Sequence, residues 1–431
     1  MTLLRTGLLS AIAVVVKMVA LLAINKVLAI YVGPSGYAAL GQFQNIVQIG
    51  IAVPGSMVNA GVVKHTAQYA SDQSRQHGVW STAFVAAVTS SGFIGVGALI
   101  FGDYLARAFL GGVEFRSVFY WFAAAIVFLA LNVLFLAIMN GKKDIGRYVL
   151  ANVAGSLAAL VVTYLLVVRL GLYGALIAVV VYQAVSFIFT LFLMWTAPWF
   201  SFRSLFLKPT AAAAKSLLGF AVLALSSAAF LAITQLIIRT FLVNLFGGEV
   251  AGYWDAITRL SGAYLMIVTT TLSVYYLPRL AELSDRRSLK REIYCGWLVI
   301  VPFSVAMSVL VYILRDFVIV SLFSAEFLPM RALFAWQLVG DVVKVCSWLI
   351  TYLLMGKDVI RPLIIAEFFY GVFLVFLTMA VAFFFGWQKV AHAYAVSYFF
   401  YFICLYWIMN RRVFGSVEVM HSEVGISHGA A

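Results

Sequence analysis

The sequence predicts an all-α integral membrane protein of twelve transmembrane helices, arranged as two parallel six-helix lobes around a central cavity. Three observations predict it: extreme apolar content, apolar runs separated by short charged links, and a faint repeat at half the chain length. Of 431 residues, 64% are hydrophobic and 10% charged, whereas a soluble domain is about 45–50% apolar and about 25% charged. A helix crossing the hydrocarbon needs about 20 mostly apolar residues. The length therefore allows twelve spans and leaves no room for a separate soluble domain.

Apolar runs bounded by Gly, Pro and charge place the first six helices at 7–32, 37–63, 79–102, 117–140, 148–168 and 173–197. The second six follow at 216–244, 249–278, 293–314, 329–355, 363–386 and 390–410. The first run carries Lys17 at its centre and lacks a small-residue cleavage site, so it reads as a retained span rather than a signal peptide. Lys and Arg test the assignment: 18 of the 29 fall in links on one side, 6 on the other and 5 within spans. That asymmetry is the positive-inside pattern of a multi-pass inner-membrane protein with both termini in the cytoplasm.

The repeat appears at an offset of 215, where Lys64 maps to Arg279, Gly141-Lys142 to Gly356-Lys357 and Gly171 to Gly386. It divides the chain into lobes at 1–210 and 211–412, followed by a polar tail at 413–431 expected to be disordered. Six helices per copy preserve orientation, so the lobes are expected to be related by an axis along the membrane normal, facing each other across the cavity.

Several function classes are excluded. The net charge of +13 lies in short links rather than on one clustered face, which argues for contact with anionic membrane lipids and against nucleic acid. Cys295, Cys346 and Cys404 are far apart and form no metal motif or disulfide framework, and His421 and His428 read as solvated tail residues. There is no phosphate-binding loop, D-x-D pair or H-E-x-x-H helix, so neither a cofactor, a metal nor a set of catalytic residues is expected. A membrane glycan polymerase or ligase stays open as the alternative from the enzyme class; it predicts a long periplasmic loop with essential Arg or carboxylates, which the short links fit poorly.

What remains is charge inside the spans, which costs about 2.5–3.5 kcal/mol per group at mid-bilayer and by default marks function. Lys17 lies about 15 Å into the first helix, near the midplane. Lys26 faces the opposite side, placed either to line the cavity or to reach the outer headgroups. Asp255 and Arg259 are four apart on one helix, and Asp341 and Lys344 three apart on another, so each pair shares a face. Such a pair either neutralises itself, or its carboxylate takes up a proton or cation and so decides whether the base is free to grip an anion. Arg239 lines the same cavity or reaches the interface, and Glu367 reads as interfacial. Five positive against three negative charges suit a phosphate or diphosphate and disfavour a cationic drug. Tyr31, Tyr37, Tyr253, Trp254 and Trp387 read as an interfacial aromatic belt.

The run Phe334-Ala-Trp-Gln-Leu-Val-Gly-Asp-Val-Val-Lys-Val345 stands beside Leu314-Arg-Asp-Phe317, Ser273-Val-Tyr-Tyr-Leu-Pro278 and Asn25-Lys-Val-Leu-Ala29. Together these stretches resemble the Wzx-type lipid-linked oligosaccharide flippases, nearest the branch that moves enterobacterial common antigen or O-antigen units. The resemblance runs from residue 1 to about residue 412. It implies the multidrug/oligosaccharidyl-lipid/polysaccharide exporter superfamily, with two lobes around a V-shaped cavity. The implied cargo is an undecaprenyl-diphosphate-linked glycan, flipped to the periplasmic leaflet by alternating access with a proton or sodium gradient, alongside other glycan-assembly membrane proteins. Lys17, Lys26, Asp341 and Lys344 carry over on the matching stretches; Arg259 matches no position of the pattern. A cation-coupled multidrug exporter of the same superfamily is the competing reading.

Overall fold

Two of the helices are too long to be single spans, and each breaks at a glycine. The computed structural model describes residues 3–414, apart from 273–275, 277–278, 281–282, 284 and 358. The tail from 415, with His421 and His428, and most of Ser273–Pro278 therefore lie outside the described residues. Among the described residues, eight helical stretches are long and apolar enough to cross a membrane. Two of them, Val14–Gln68 and Ile145–Trp195, run 55 and 51 residues, about 80 Å of helix where about 30 Å spans the hydrocarbon.

The first of these lies in α1 (Leu3–Gln68), which breaks at Gly33, with φ +67° and Pro34 opening the next turn. The second is α4 (Ile145–Trp195), which breaks at Gly171, with φ +54°. A side chain would be strained at either φ, so glycine is what lets the helix break there. Between them lie α2 (Gln73–Leu105) and α3 (Arg116–Gly141). Then come α5 (Ala211–Phe246), α6 (Gly248–Thr271), α7 (Arg286–Ile313) and the short α8 (Arg315–Leu322). The chain ends in α9 (Arg331–Gly356), α10 (Ile360–Phe385) and α11 (Val390–Ile408). With the two breaks counted, each of the twelve expected spans overlaps a helix, the one at 249–278 as far as Thr271, with most of its remainder outside the described residues. The short turns at 106–110, 113–115 and 325–330, and α8, were not foreseen; they are too brief to carry a readable period.

The repeat has a backbone counterpart. Gly33 and Gly171 are matched half a chain later by Gly247 (φ +89°) and Gly386 (φ +80°), each between consecutive helices. After α3, Lys142 N donates to Ile138 O (2.9 Å) and Asp144 N to Met139 O (3.0 Å). After α9, Lys357 N donates to Leu353 O (3.0 Å) and Val359 N to Leu354 O (2.9 Å), the same turn 215 residues on.

Packing divides the chain into two compact units, Met1–Asp255 with Ser321–Glu326, and Ala256–Val320 with the chain from Phe327. In the first, α1 packs on α3, α4 and α5, so α5 and the start of α6 join the N-terminal helices although the repeat assigns them to the second half. One end of this unit is closed by a polar and aromatic network. Trp80 and Gln76 hold Thr66, Lys142 donates to Gln76 (2.6 Å) and lies over the rings of Trp80 and Trp199, and Trp199 donates to Asp144 (3.0 Å). Asp144 also caps α4 and pairs with Arg147 at 2.7 Å. In the second unit, α9 packs on α7 and α11, and α10 on α11. Here the helical chain runs on to Phe414, past the expected start of the tail at Val413. Val413 and Phe414 are buried, with Arg286 and Lys290 over the Phe414 ring.

Candidate functional site

In an otherwise apolar helix, Gln337, Asp341 and Lys344 fall on one face of α9, at intervals of four and three. Asp341 is 1% exposed. A buried carboxylate must be met by donors or opposite charge, and three hydroxyls meet this one. Ser261 Oγ donates to Oδ2 at 2.6 Å, Tyr264 Oη donates to the same oxygen, and Tyr394 Oη donates to Oδ1 at 2.8 Å. Ser261 and Tyr264 come from α6, three apart on one face, and Tyr394 from α11. Gln337 Nε2 donates to Ser261 Oγ at 3.2 Å and holds it in place.

Lys344 does not touch the carboxylate directly. Its Nζ donates to the Tyr394 hydroxyl at 3.4 Å, so that hydroxyl stands between the acid and the base. Three rings surround the ammonium, with centroids 5.2 Å (Trp348), 5.3 Å (Tyr398) and 5.9 Å (Tyr394) away. Aromatic faces at this range attract a cation while leaving it able to meet an anion. Gly340 makes the arrangement possible: a Cβ there would collide with the Tyr394 ring.

The first unit holds a different cluster. Arg239 of α5 and Asp255 of α6, 4% and 3% exposed, form a direct ion pair through Nη2 and Oδ1. With its amide turned so that Oδ1 faces them, Asn45 accepts from Arg239 Nη1 (2.6 Å) and from Leu236 N. Gly41 of α1 lies against the pair, where a Cβ would be 2.7 Å from the guanidinium carbon and from both carboxylate oxygens. Lys26 is half-buried and donates to the Phe323 carbonyl at 2.5 Å, while the Tyr37 ring meets Phe323 edge-on at 6.1 Å. Tyr37 also donates to Asn25 at 2.9 Å. Lys17 is exposed and Arg259 half-buried. Among the described residues no three His, Cys, Asp or Glu gather as a metal site, and the three cysteines are free thiols.

Residues 3–284 match the model of the polysaccharide biosynthesis protein family, well over half of the chain. The chain belongs to that family. It is also 29% identical over 417 residues to a lipid III flippase of Escherichia coli K12, covering 96% of this chain and 100% of that one. A solved inward-facing multidrug resistance MATE family transporter of the MOP superfamily shares the fold at TM-score 0.76 and 16% identity, over 91% of this chain and 93% of its own. The lipid II flippase MurJ, in an inward closed conformation, does so at TM-score 0.70 and 11% identity, over 93% of this chain and 86% of its own. The all-α, multi-pass architecture read from composition is thus the fold of membrane transporters.

Within this family member, the structure gathers Asp341 and Lys344 at one site and Arg239 with Asp255 at another. Sequence reasoning missed Ser261, Tyr264, Tyr394, Tyr398 and Trp348. Their signal is the spacing: Ser261 and Tyr264 three apart, Tyr394 and Tyr398 four apart, polar stripes on apolar helices. Of the expected aromatic belt, Tyr31 is 46% exposed, whereas Tyr37, Tyr253 and Trp254 are buried in the first unit, where α1 packs beside α5 and α6.

Proposed function

We propose that this protein flips an undecaprenyl-diphosphate-linked oligosaccharide from the cytoplasmic to the periplasmic leaflet. Two six-helix lobes, 1–210 and 211–412, alternate access to a cationic cavity, with both termini in the cytoplasm and the movement coupled to a proton or sodium gradient. The observation that carries this reading is the Asp341–Tyr394–Lys344 chain, an acid and a base inside an apolar bundle linked by one hydroxyl. End-to-end similarity to a lipid III flippase supports the same cargo class.

A carboxylate ringed by hydroxyls can accept a proton, because each hydroxyl turns from donor to acceptor without leaving its place. When Asp341 is neutral, the Tyr394 hydroxyl is released toward Lys344 and the ammonium gains freedom to grip the diphosphate. When Asp341 is charged, it draws Tyr394 back and the anion is let go. Lys17, Lys26, Arg239 and Arg259 supply the remaining positive field of the cavity, and Asp255 is the second acidic group.

Reconstituted full-length protein should move a fluorescent lipid-linked oligosaccharide between vesicle leaflets, faster with an imposed proton or sodium gradient. Properly inserted Lys344→Ala and Lys17→Ala variants should lose most of that transfer and fail to support surface glycan in cells. Normal export by both would sink the cavity assignment. Binding of organic cations in preference to diphosphate lipids would favour the multidrug exporter instead.

A further inference from the structure

Away from the charged spans, the seam between α2 and α5 in the first unit holds two successive cavities. One of about 380 Å³ lies at the start of α2, among His65, Tyr69, Ser74, Arg75, Gly78 and Thr210. The other, about 610 Å³, follows along the same helices, among Ala86, Thr89 and Phe93 of α2 and Ala214, Leu217 and Leu218 of α5. Thr210 N donates to Thr82 Oγ1 at 3.1 Å where one gives way to the next. Both volumes fall in the range of about 300–1,000 Å³ typical of ligand sites.

The two cavities differ in chemistry. In the first, Arg75 is exposed, lies over the Tyr69 ring at 5.9 Å and pairs through Nε with Asp72 at 3.2 Å. A guanidinium carries five N–H donors, so its Nη groups remain available to a second acceptor. His65 stacks on the same ring at 5.7 Å and meets Gln68 at 3.2 Å. In the second cavity the hydroxyls are spent on their own helix: Thr89 donates to Val85 O (2.7 Å) and Ser90 to Ala86 O (2.6 Å). That cavity therefore offers an oily wall. From Arg75 to Thr89 the helix rises about 21 Å, close to the half-thickness of a bilayer with its headgroups.

We propose that this seam binds an anionic phospholipid, with its phosphate at Arg75 and one acyl chain along α2 and α5. The occupant is a phosphodiester because a single guanidinium already facing Asp72 suits one negative charge, and the added charge of a diphosphate would be repelled by that carboxylate. The site is thus a resident-lipid site, independent of the cargo reading.

Native mass spectrometry of the full-length protein in non-ionic detergent tests it, with phosphatidylglycerol, phosphatidylcholine and undecaprenyl diphosphate as probes. Phosphatidylglycerol should be retained over phosphatidylcholine, and Arg75→Gln should weaken that retention about fivefold, the worth of one basic residue at a lipid surface. Ala86→Trp, which fills the oily cavity without touching the headgroup end, should weaken it at least as much. Equal retention of phosphatidylcholine, preference for undecaprenyl diphosphate, or wild-type retention in Arg75→Gln would overturn the proposal. Arg75 is exposed, so that variant decides the matter even if Ala86→Trp does not fold.

Discussion

In the first unit a buried carboxylate, Asp255, meets a guanidinium; in the second, Asp341 meets three hydroxyls, and the nearest lysine stands behind one of them. The two solutions have different consequences. An ion pair such as Arg239–Asp255 is fixed, because protonating the acid leaves a buried cation exposed to low dielectric. A hydroxyl shell is exchangeable, because its members donate or accept with equal ease. The first arrangement suits a fastener between α5 and α6, and the second a site whose charge state changes during work.

The sharpest way to break that contrast is to remove the cation of the fastener. Arg239→Met should destabilise the protein by about 3–5 kcal/mol, the cost of removing one partner of a buried ion pair, and the double variant Arg239→Met/Asp255→Leu should recover most of it. Thermal unfolding in detergent reads both. If Arg239→Met were as stable as the parent, Asp255 would not depend on it and the distinction would collapse.

Both clusters press against a glycine, which allows a matched pair of substitutions. Gly340→Ala drives a methyl into the Tyr394 ring and toward the α11 backbone at Ala395, and Gly41→Ala drives one into the Arg239–Asp255 pair. Each should cost about 1–3 kcal/mol by overpacking. Gly340→Ala should slow lipid-linked oligosaccharide transfer more than Gly41→Ala, because there the displaced group is the hydroxyl that links an exchangeable acid to a base. Tyr394→Phe is gentler. Asp341 keeps its bonds from Ser261 and Tyr264, so stability should fall by only about 1.5 kcal/mol, while the dependence of transfer on the ion gradient is lost. A Tyr394→Phe variant with normal coupling would reduce Tyr394 to a packing residue.

The sequence was most legible where physics is one-dimensional. Length and hydropathy located the long apolar helices, and the repeat singled out Gly171 and Gly386, both of which lie at positive φ. Asp341 with Lys344 was legible because two charges on an apolar face are conspicuous. The Arg239–Asp255 pair was not: spacing along one helix sets Asp255 and Arg259 on a shared face, but it cannot show that an ion pair also reaches across to α5. Periodicity reports which residues share a face, and it carries no information about which helix that face meets. The hydroxyls of Ser261, Tyr264 and Tyr394 escaped for the same reason, since a lone Tyr or Ser in a span is unremarkable until a carboxylate is brought beside it.

The smallest effect distinguishes the two halves at the turns that the repeat makes equivalent. Asp144 caps α4, whereas Val359, its counterpart in the same hydrogen-bonded turn, gives α10 no side-chain cap. Burial alone would raise the Asp144 carboxyl, but hydrogen bonds from Arg147 and Trp199 outweigh it and hold the group below its usual range. A depressed carboxyl contributes stability that is fully present above its unfolded value of about 3.9 and is lost as pH falls through the lower folded value. Acid should therefore loosen the Asp144 turn of the first unit before the Val359 turn of the second. Hydrogen exchange on the full chain below about pH 4 should show faster opening at 142–148 than at 357–363. Asp144→Asn should keep the cap, lose the charge pairing, cost about 0.5–1 kcal/mol at neutral pH and remove that acid sensitivity. Equal acid opening of both turns in the parent protein would mean that the carboxylate contributes nothing the valine lacks.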